Sequence, residues 1–162
     1  MIVLIEGADG SGKSTLCNQL RFEGYTPISI PQDASQRGSY WICAYDTHVY
    51  VSDRSYISDM VYRIFDGKHR QGMSLQDMLF GLEKYTKIIL CESGTEYDDS
   101  MARGEDNITK KKDSDKIKQI YNIITSMFKI FADVPVMKYN WRTDNLDDVI
   151  KFIEGGTTNE SV

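Results

Sequence analysis

Cysteine, proline and tryptophan are scarce in this chain: three, three and two in 162 residues. Cys17, Cys43 and Cys91 lie far apart in apolar segments, so neither a disulfide framework nor a cysteine zinc site is on offer, and the thiols read as buried groups of a reducing compartment. Long apolar runs are also missing. The stretch Ile2, Val3, Leu4, Ile5 is too short for a membrane span and has neither a basic lead nor a small-residue cleavage site, so the expectation is a cytoplasmic protein without a signal peptide. Excess positive charge is absent as well: the net charge of −5 excludes a global basic field for nucleic acid and leaves room only for a local groove. No internal repeat and no linker interrupts the chain. What is present, 41% hydrophobic and 27% charged residues, is ordinary globular composition at a length that suits one domain. That domain is expected over residues 1–154, with the polar "GGTTNESV" of 155–162 as a flexible tail.

Five short apolar runs read as strands: 2–5, about 25–30, 48–53, 87–91 and 134–139. Helical spacing follows the first in Leu16, Cys17 and Leu20 and the third in Ile57, Met60, Val61, Ile64 and Phe65. It returns at 74–85, opening at Ser74 with Leu75, Met78, Leu79 and Leu82. Two more helices are expected: about 115–131 on Ile117, Ile120, Tyr121, Ile124 and Phe128, and a last one on Leu146, Val149, Ile150 and Ile153. Strands alternating with helices predict an α/β fold, a five-stranded parallel sheet with helices on both faces in three layers. Residues 31–46 and 92–115 show no period. In an open parallel sheet both emerge beyond the carboxyl ends of strands, where ligands bind, so they are the candidate substrate wall and lid.

Between the first strand and the first helix stands "EGADGSGKST", residues 6–15. Gly7, Gly12, Lys13 and Ser14 satisfy the spacing of a phosphate-cradling loop, in the strand-to-helix context that loop requires. Glycines let successive N–H groups converge on phosphate oxygens, and the following helix points its positive end at the same spot. The candidate ATP-binding residues are therefore Ala8, Asp9, Gly10, Ser11, Gly12, Lys13, Ser14 and Thr15. Lys13 is expected on the β/γ-phosphates and Ser14 on Mg²⁺. The third strand ends in "VSDRSYISDMVYR", which brings Asp53 and Arg54 to the same edge of the sheet. Asp53 there can take a proton from an attacking hydroxyl or join Ser14 at the metal, and Arg54 can clamp an oxyanion with its fork.

These residues carry a family resemblance. "IEGADGSGKST" resembles the P-loop of thymidylate kinases, which place Asp at the position of Asp9, and "DRSYIS" resembles their Asp-Arg-Tyr-x-x-Ser motif. The same stretch is similar to the Glu-Arg-Ser-x-x-Ser-Asp motif of deoxynucleoside kinases, with Asp53 where these have their base and Arg54, Ser55, Ser58 and Asp59 matching the rest. Arg103, in "MARGEDN", falls where both families keep a lid arginine over the transferring phosphoryl group. The resemblance implies the P-loop kinase fold in a short, phage-like member. It also implies catalytic roles for Lys13, Asp53, Arg54 and Arg103, ATP with Mg²⁺, and an acceptor sugar held by Asp9. A carboxylate beside ATP phosphates would be repulsive, so an acceptor-side role also suits Asp9 physically.

The sequence departs from both families between strands two and three, where only residues 31–47 remain for the acceptor pocket. "PQD" replaces the expected arginine, leaving Gln32, Arg37, Tyr40 and Trp41 as base or phosphate contacts beside Asp9 and Arg54. Two acceptors follow: a deoxypyrimidine nucleotide or nucleoside, or 5-hydroxymethyluracil within DNA, as in phage hypermodification kinases, which an open pocket would admit. Lys110, Lys111 and Lys112 beside the lid favour DNA and the net charge opposes it. A homodimer is compatible with either. No strand-terminal Asn-Lys-x-Asp occurs, which argues against a GTPase switch.

Overall fold

The computed structural model describes residues 1–28, 48–67, 86–104 and 110–155. Their five strands are β1 (Ile2–Glu6), β2 (Thr26–Ile28), β3 (Tyr50–Asp53), β4 (Thr86–Cys91) and β5 (Val136–Tyr139). All pair in parallel, in the order β2-β3-β1-β4-β5. All five residues of the central strand β1 are buried, which is why its first four are aliphatic without alternation; the fifth is Glu6.

Period-two geometry nevertheless sorts its side chains to two different cores. Ile2 and Leu4 of β1, with Ile88 and Leu90 of β4, face the helices α2 (Tyr56–Phe65) and α4 (Lys111–Ala132), and Ile57, Val61, Ile117, Tyr121, Ile124 and Phe128 complete that core. Val3 and Ile5, with Ile89 and Cys91, face α1 (Lys13–Phe22) and α5 (Leu146–Glu154), where Leu16, Leu20, Val149 and Ile153 meet them. The sheet therefore has helices on both faces, as expected.

All five residues expected on the inner face of α4 are buried. In α2 the stripe holds at Ile57 and Val61, whereas Ile64 is 53% exposed and corrects the expectation. The period specifies the face of a helix but not how far along it the covering neighbour reaches, and Ile64 sits in the last turn. Residues 92–115 require a larger correction: they hold a short helix, α3 (Glu96–Ala102), and the first five residues of α4, which starts at Lys111. Helix α3 is polar and too short to show a period. It is held instead by Glu96, whose carboxylate accepts hydrogen bonds from the backbone N–H of Ser93 (2.7 Å) and Gly94 (3.1 Å) and from Lys118 (3.2 Å). The expected helix at 74–85 and Cys43 lie outside the described residues. Among those residues Cys17 and Cys91 are free thiols, and no helix is long and apolar enough to cross a membrane.

Candidate functional site

The loop from Gly7 to Gly12 turns back on itself: Ser11 N–H donates to the Ala8 carbonyl at 3.2 Å, and Gly7, Gly10 and Gly12 all take positive φ. Close neighbours leave no room for a Cβ at any of the three: one on Gly7 would lie 2.5 Å from the Cys91 carbonyl oxygen. A Cβ on Gly10 would lie 2.0 Å from the Glu96 carbonyl oxygen, and one on Gly12 would lie 2.4 Å from Trp141 Cδ1. Gly12 caps α1 without any side-chain hydrogen bond, so the first N–H groups of that helix face the loop uncapped. Ser11 Oγ is the one buried side-chain polar atom without a partner among the described residues. An uncapped helix start ringed by loop N–H groups is the arrangement that accepts phosphate oxygens.

The side chains around this loop are bonded to one another. Lys13 is 5% exposed and donates from Nζ to the Ala8 carbonyl at 2.7 Å. Burial, then the Arg54 charge, lowers its pKa, and Asp9 and Asp53 oppose that shift. Ser14 Oγ donates to Asp53 Oδ2 at 2.7 Å, so the two expected metal ligands are together, a hydroxyl and a carboxylate suited to a hard cation that also takes phosphate and water oxygens. Among the described residues no group of three or more His, Cys, Asp or Glu could hold a metal by itself.

Asp9 is 8% exposed and receives the Arg54 guanidinium on Oδ1 and the Tyr62 hydroxyl on Oδ2 at 3.2 Å, with the guanidinium 5.6 Å over the Tyr62 ring. Arg54 has φ 72°, the left-handed region that costs a residue with a Cβ about 1–2 kcal/mol. Its N–H donates to the Ile5 carbonyl at 3.0 Å and its carbonyl accepts from Ser52 Oγ at 2.6 Å, which fixes that backbone. Ser55 caps α2, its Oγ accepting from Ile57 N–H at 3.1 Å, so Asp53 is left to Ser14. Arg103 stands exposed just past the C-terminus of α3. The N-terminal end of α3 touches Gly10, so Arg103 is about 10 Å farther along the helix axis. Gln32, Arg37, Tyr40 and Trp41 lie outside the described residues.

Four further contributors to the site belong to no motif: Glu6, Tyr62, Trp141 and Arg142. Glu6, fully buried one residue before the loop, accepts hydrogen bonds from Ser55 on Oε1 and from Ser58 on Oε2 at 2.6 Å, and Ser58 also bonds the Tyr121 hydroxyl at 2.8 Å. A carboxylate closing an otherwise aliphatic buried strand was the available signal. Tyr62 was hidden among the polar residues of α2. Trp141 and Arg142 follow β5 at the carboxyl edge of the sheet, and that position was readable. Arg142 stacks 4.3 Å over the Trp141 ring, donates to Thr95 Oγ1 at 3.1 Å and pairs with Asp99 at 2.8 Å, tying the loop after β5 to α3. A polar cavity of about 650 Å³ opens beyond β4 and β5, but its charges bond each other, Lys138 to Glu92 and Lys118 to Glu96, each at 3.2 Å.

Burial raises the pKa of Glu6 to about 7 against the hydrogen bonds of Ser55 and Ser58 and the charges of Lys13 and Arg54. The folded state then holds a proton that the unfolded chain releases above pH 4.5, so stability contributed at low pH is lost as pH rises toward 7. Glu6→Gln removes that loss. Its stability relative to the unsubstituted protein is expected to rise by up to about 3 kcal/mol between pH 4.5 and pH 8, read as a growing difference in Tm. A difference that stays flat with pH would contradict it.

The architecture has solved counterparts. The YorR protein of Bacillus subtilis, solved with phosphorylated GDP, superimposes with a TM-score of 0.72 at 20% identity, over 95% of this chain and 96% of its own. Deoxyadenosine kinase from M. mycoides, with products dCMP and dCDP bound, gives 0.61 at 16% identity over 96% and 97%. The same enzyme with dCTP gives 0.63 at 15% over 96% and 100%. The fold is that of P-loop kinases. No family model matches the chain, and no curated protein matches it in sequence.

Proposed function

We propose that this protein transfers the γ-phosphoryl group of ATP to a deoxynucleoside or deoxynucleotide acceptor. The observation that carries the reading is the coincidence, at one sheet edge, of the uncapped loop with Lys13, the Ser14–Asp53 pair and Arg54 on Asp9. Phosphoryl transfer asks a protein mainly to position two oxygens in line and to neutralise charge, and these groups are of the kind required. ATP phosphates displace the Ala8 carbonyl from Lys13. Ser14 and Asp53 would hold Mg²⁺, which would supply neutralisation of phosphate charge when bound. The pairing of Asp53 with Ser14 favours that duty over the role of base. Asp9, bonded to Arg54 and Tyr62, meets the acceptor sugar, and Arg54 swings from Asp9 to the transferring group or to an acceptor phosphate. The donor base lies on Trp141 and Arg142 beside Gly12. Residues 1–154 act as one kinase domain in which 92–115, anchored through α3, form the lid carrying Arg103, and 31–47 supply the acceptor wall through Gln32, Arg37 and Trp41. Deoxynucleotides bound to the M. mycoides enzyme support the acceptor class.

The test is to incubate the protein with labelled ATP and Mg²⁺ against nucleosides, monophosphates and hydroxymethylated DNA in separate panels. Label is expected in a deoxynucleoside or its monophosphate. Label in DNA alone, with affinity falling steeply in salt, would replace this acceptor with the polymer, and label in none would end the kinase reading.

Arg54→Lys then distinguishes the small acceptors. With a monophosphate, loss of the bidentate fork is expected to raise the acceptor KM about tenfold. With a nucleoside the loss falls on kcat. Unchanged kinetics would remove Arg54 from the site.

A further inference from the structure

We infer that Glu6 is the positioning residue for Arg54. The inference rests on the phosphoryl-transfer reading for the purpose of Arg54, but its geometry stands apart from it. Glu6 closes β1 one residue before the phosphate-loop glycine and is fully buried. Its Oε1 takes the only proton of Ser55, the residue after Arg54, and Ser55 in turn accepts the Ile57 N–H that starts α2. Its Oε2 takes the proton of Ser58, which leaves Tyr121 as the donor to Ser58. One carboxylate thus pins the N-cap serine and the first-turn serine of α2 and, through Tyr121, the middle of α4 to the strand that carries the loop.

Arg54 stands directly upstream of that pin in a left-handed backbone conformation. Such a conformation persists only where the surroundings over-determine it. On one side the Ile5 carbonyl and Ser52 Oγ hold the Arg54 peptide groups, and on the other Glu6 holds Ser55. With both sides fixed, the guanidinium reaches Asp9 over the Tyr62 ring. A leucine would fill the position at lower desolvation cost, so the carboxylate serves something other than core volume. The charged and titratable groups facing it are Lys13 of α1, Arg54, Cys91 of β4 and Tyr121 of α4.

The experiment follows the Arg54 Nε–H signal in ¹⁵N NMR, identified by its disappearance in Arg54→Lys, together with kcat and both KM values. In Glu6→Leu the signal is expected to lose its ion-paired shift, and kcat to fall about ten- to a hundredfold with the ATP KM unchanged. Glu6→Gln is expected to restore both, because its oxygen can still accept from Ser55 while its NH₂ donates to Ser58 and the Ser58–Tyr121 bond reverses. If Glu6→Leu does not fold, Ser55→Ala removes the same link from the other end and is expected to move the signal. Ser58→Ala, which cuts the arm away from Arg54, is expected to leave the signal in place. An unmoved Arg54 signal in folded Glu6→Leu or Ser55→Ala would overturn the inference. The NMR arm needs no turnover, so a protein that transferred no phosphoryl group would end the kinase reading while the role of Glu6 was still decided.

Discussion

Lys13→Ala is expected to lower phosphoryl transfer about 10²–10³-fold or more while leaving the fold intact. Lys13 is the side-chain cation that the loop spacing itself dictates, at the second residue after Ser11 and directly beside the uncapped helix start. Without phosphate, its ammonium leans on the Ala8 carbonyl at 2.7 Å in a site where burial lowers its pKa, so charge held there is paid for in desolvation. Truncation removes that penalty along with one hydrogen bond, and the Ala8 carbonyl keeps the Ser11 N–H at 3.2 Å. The net stability change is therefore about 1 kcal/mol, visible as a small shift in Tm. In the transition state nothing replaces the ammonium, since Arg54 has its own duty at the transferring group or the acceptor and no other side-chain cation is set by the loop spacing. Steady-state rates with labelled ATP decide the matter, and near-normal turnover in a folded Lys13→Ala protein would refute the kinase reading.

Gly10→Ala is expected to be the most destabilising single-methyl change in the loop, by about 2–5 kcal/mol. About 1–2 kcal/mol comes from forcing a Cβ into φ 84° and about 1–3 from overpacking. The methyl carbon would lie 2.0 Å from the Glu96 carbonyl oxygen and 2.8 Å from its carbon, and both are backbone atoms that no rotamer change can move aside. Helix α3 cannot retreat cheaply either, because the Glu96 carboxylate is held by two backbone N–H groups and by Lys118. Gly104→Ala is the control: φ is 69° and nothing stands within 4 Å, so only the backbone cost of about 1–2 kcal/mol remains. Urea denaturation of the two variants gives the comparison. Equal losses would show that α3 is not seated on the loop as described.

The amino-acid sequence by itself determined the order and direction of the strands, the loop that can cradle phosphate and the identity of its lysine and hydroxyl. These depend on neighbours in the chain: four aliphatic residues ahead of "EGADGSGKST", helical spacing behind it, and the period that placed Ile117, Ile120, Tyr121, Ile124 and Phe128 inward. A carboxylate at the end of β3 was readable as well, because parallel strands bring their carboxyl ends to one edge. Only the tertiary structure decided which polar groups meet. Ser14 and Asp53 are 39 residues apart, Arg54 and Asp9 are 45 apart, and Ser58 and Tyr121 are 63 apart. No local pattern encodes such pairings. Helix α3 escaped because seven residues without an apolar stripe owe their place to Glu96 and to the missing side chain of Gly10 rather than to a period. Glu6 escaped for a related reason: the cost of burying a carboxylate is met by two serines of a helix that begins 50 residues later, and only folding brings them beneath the loop.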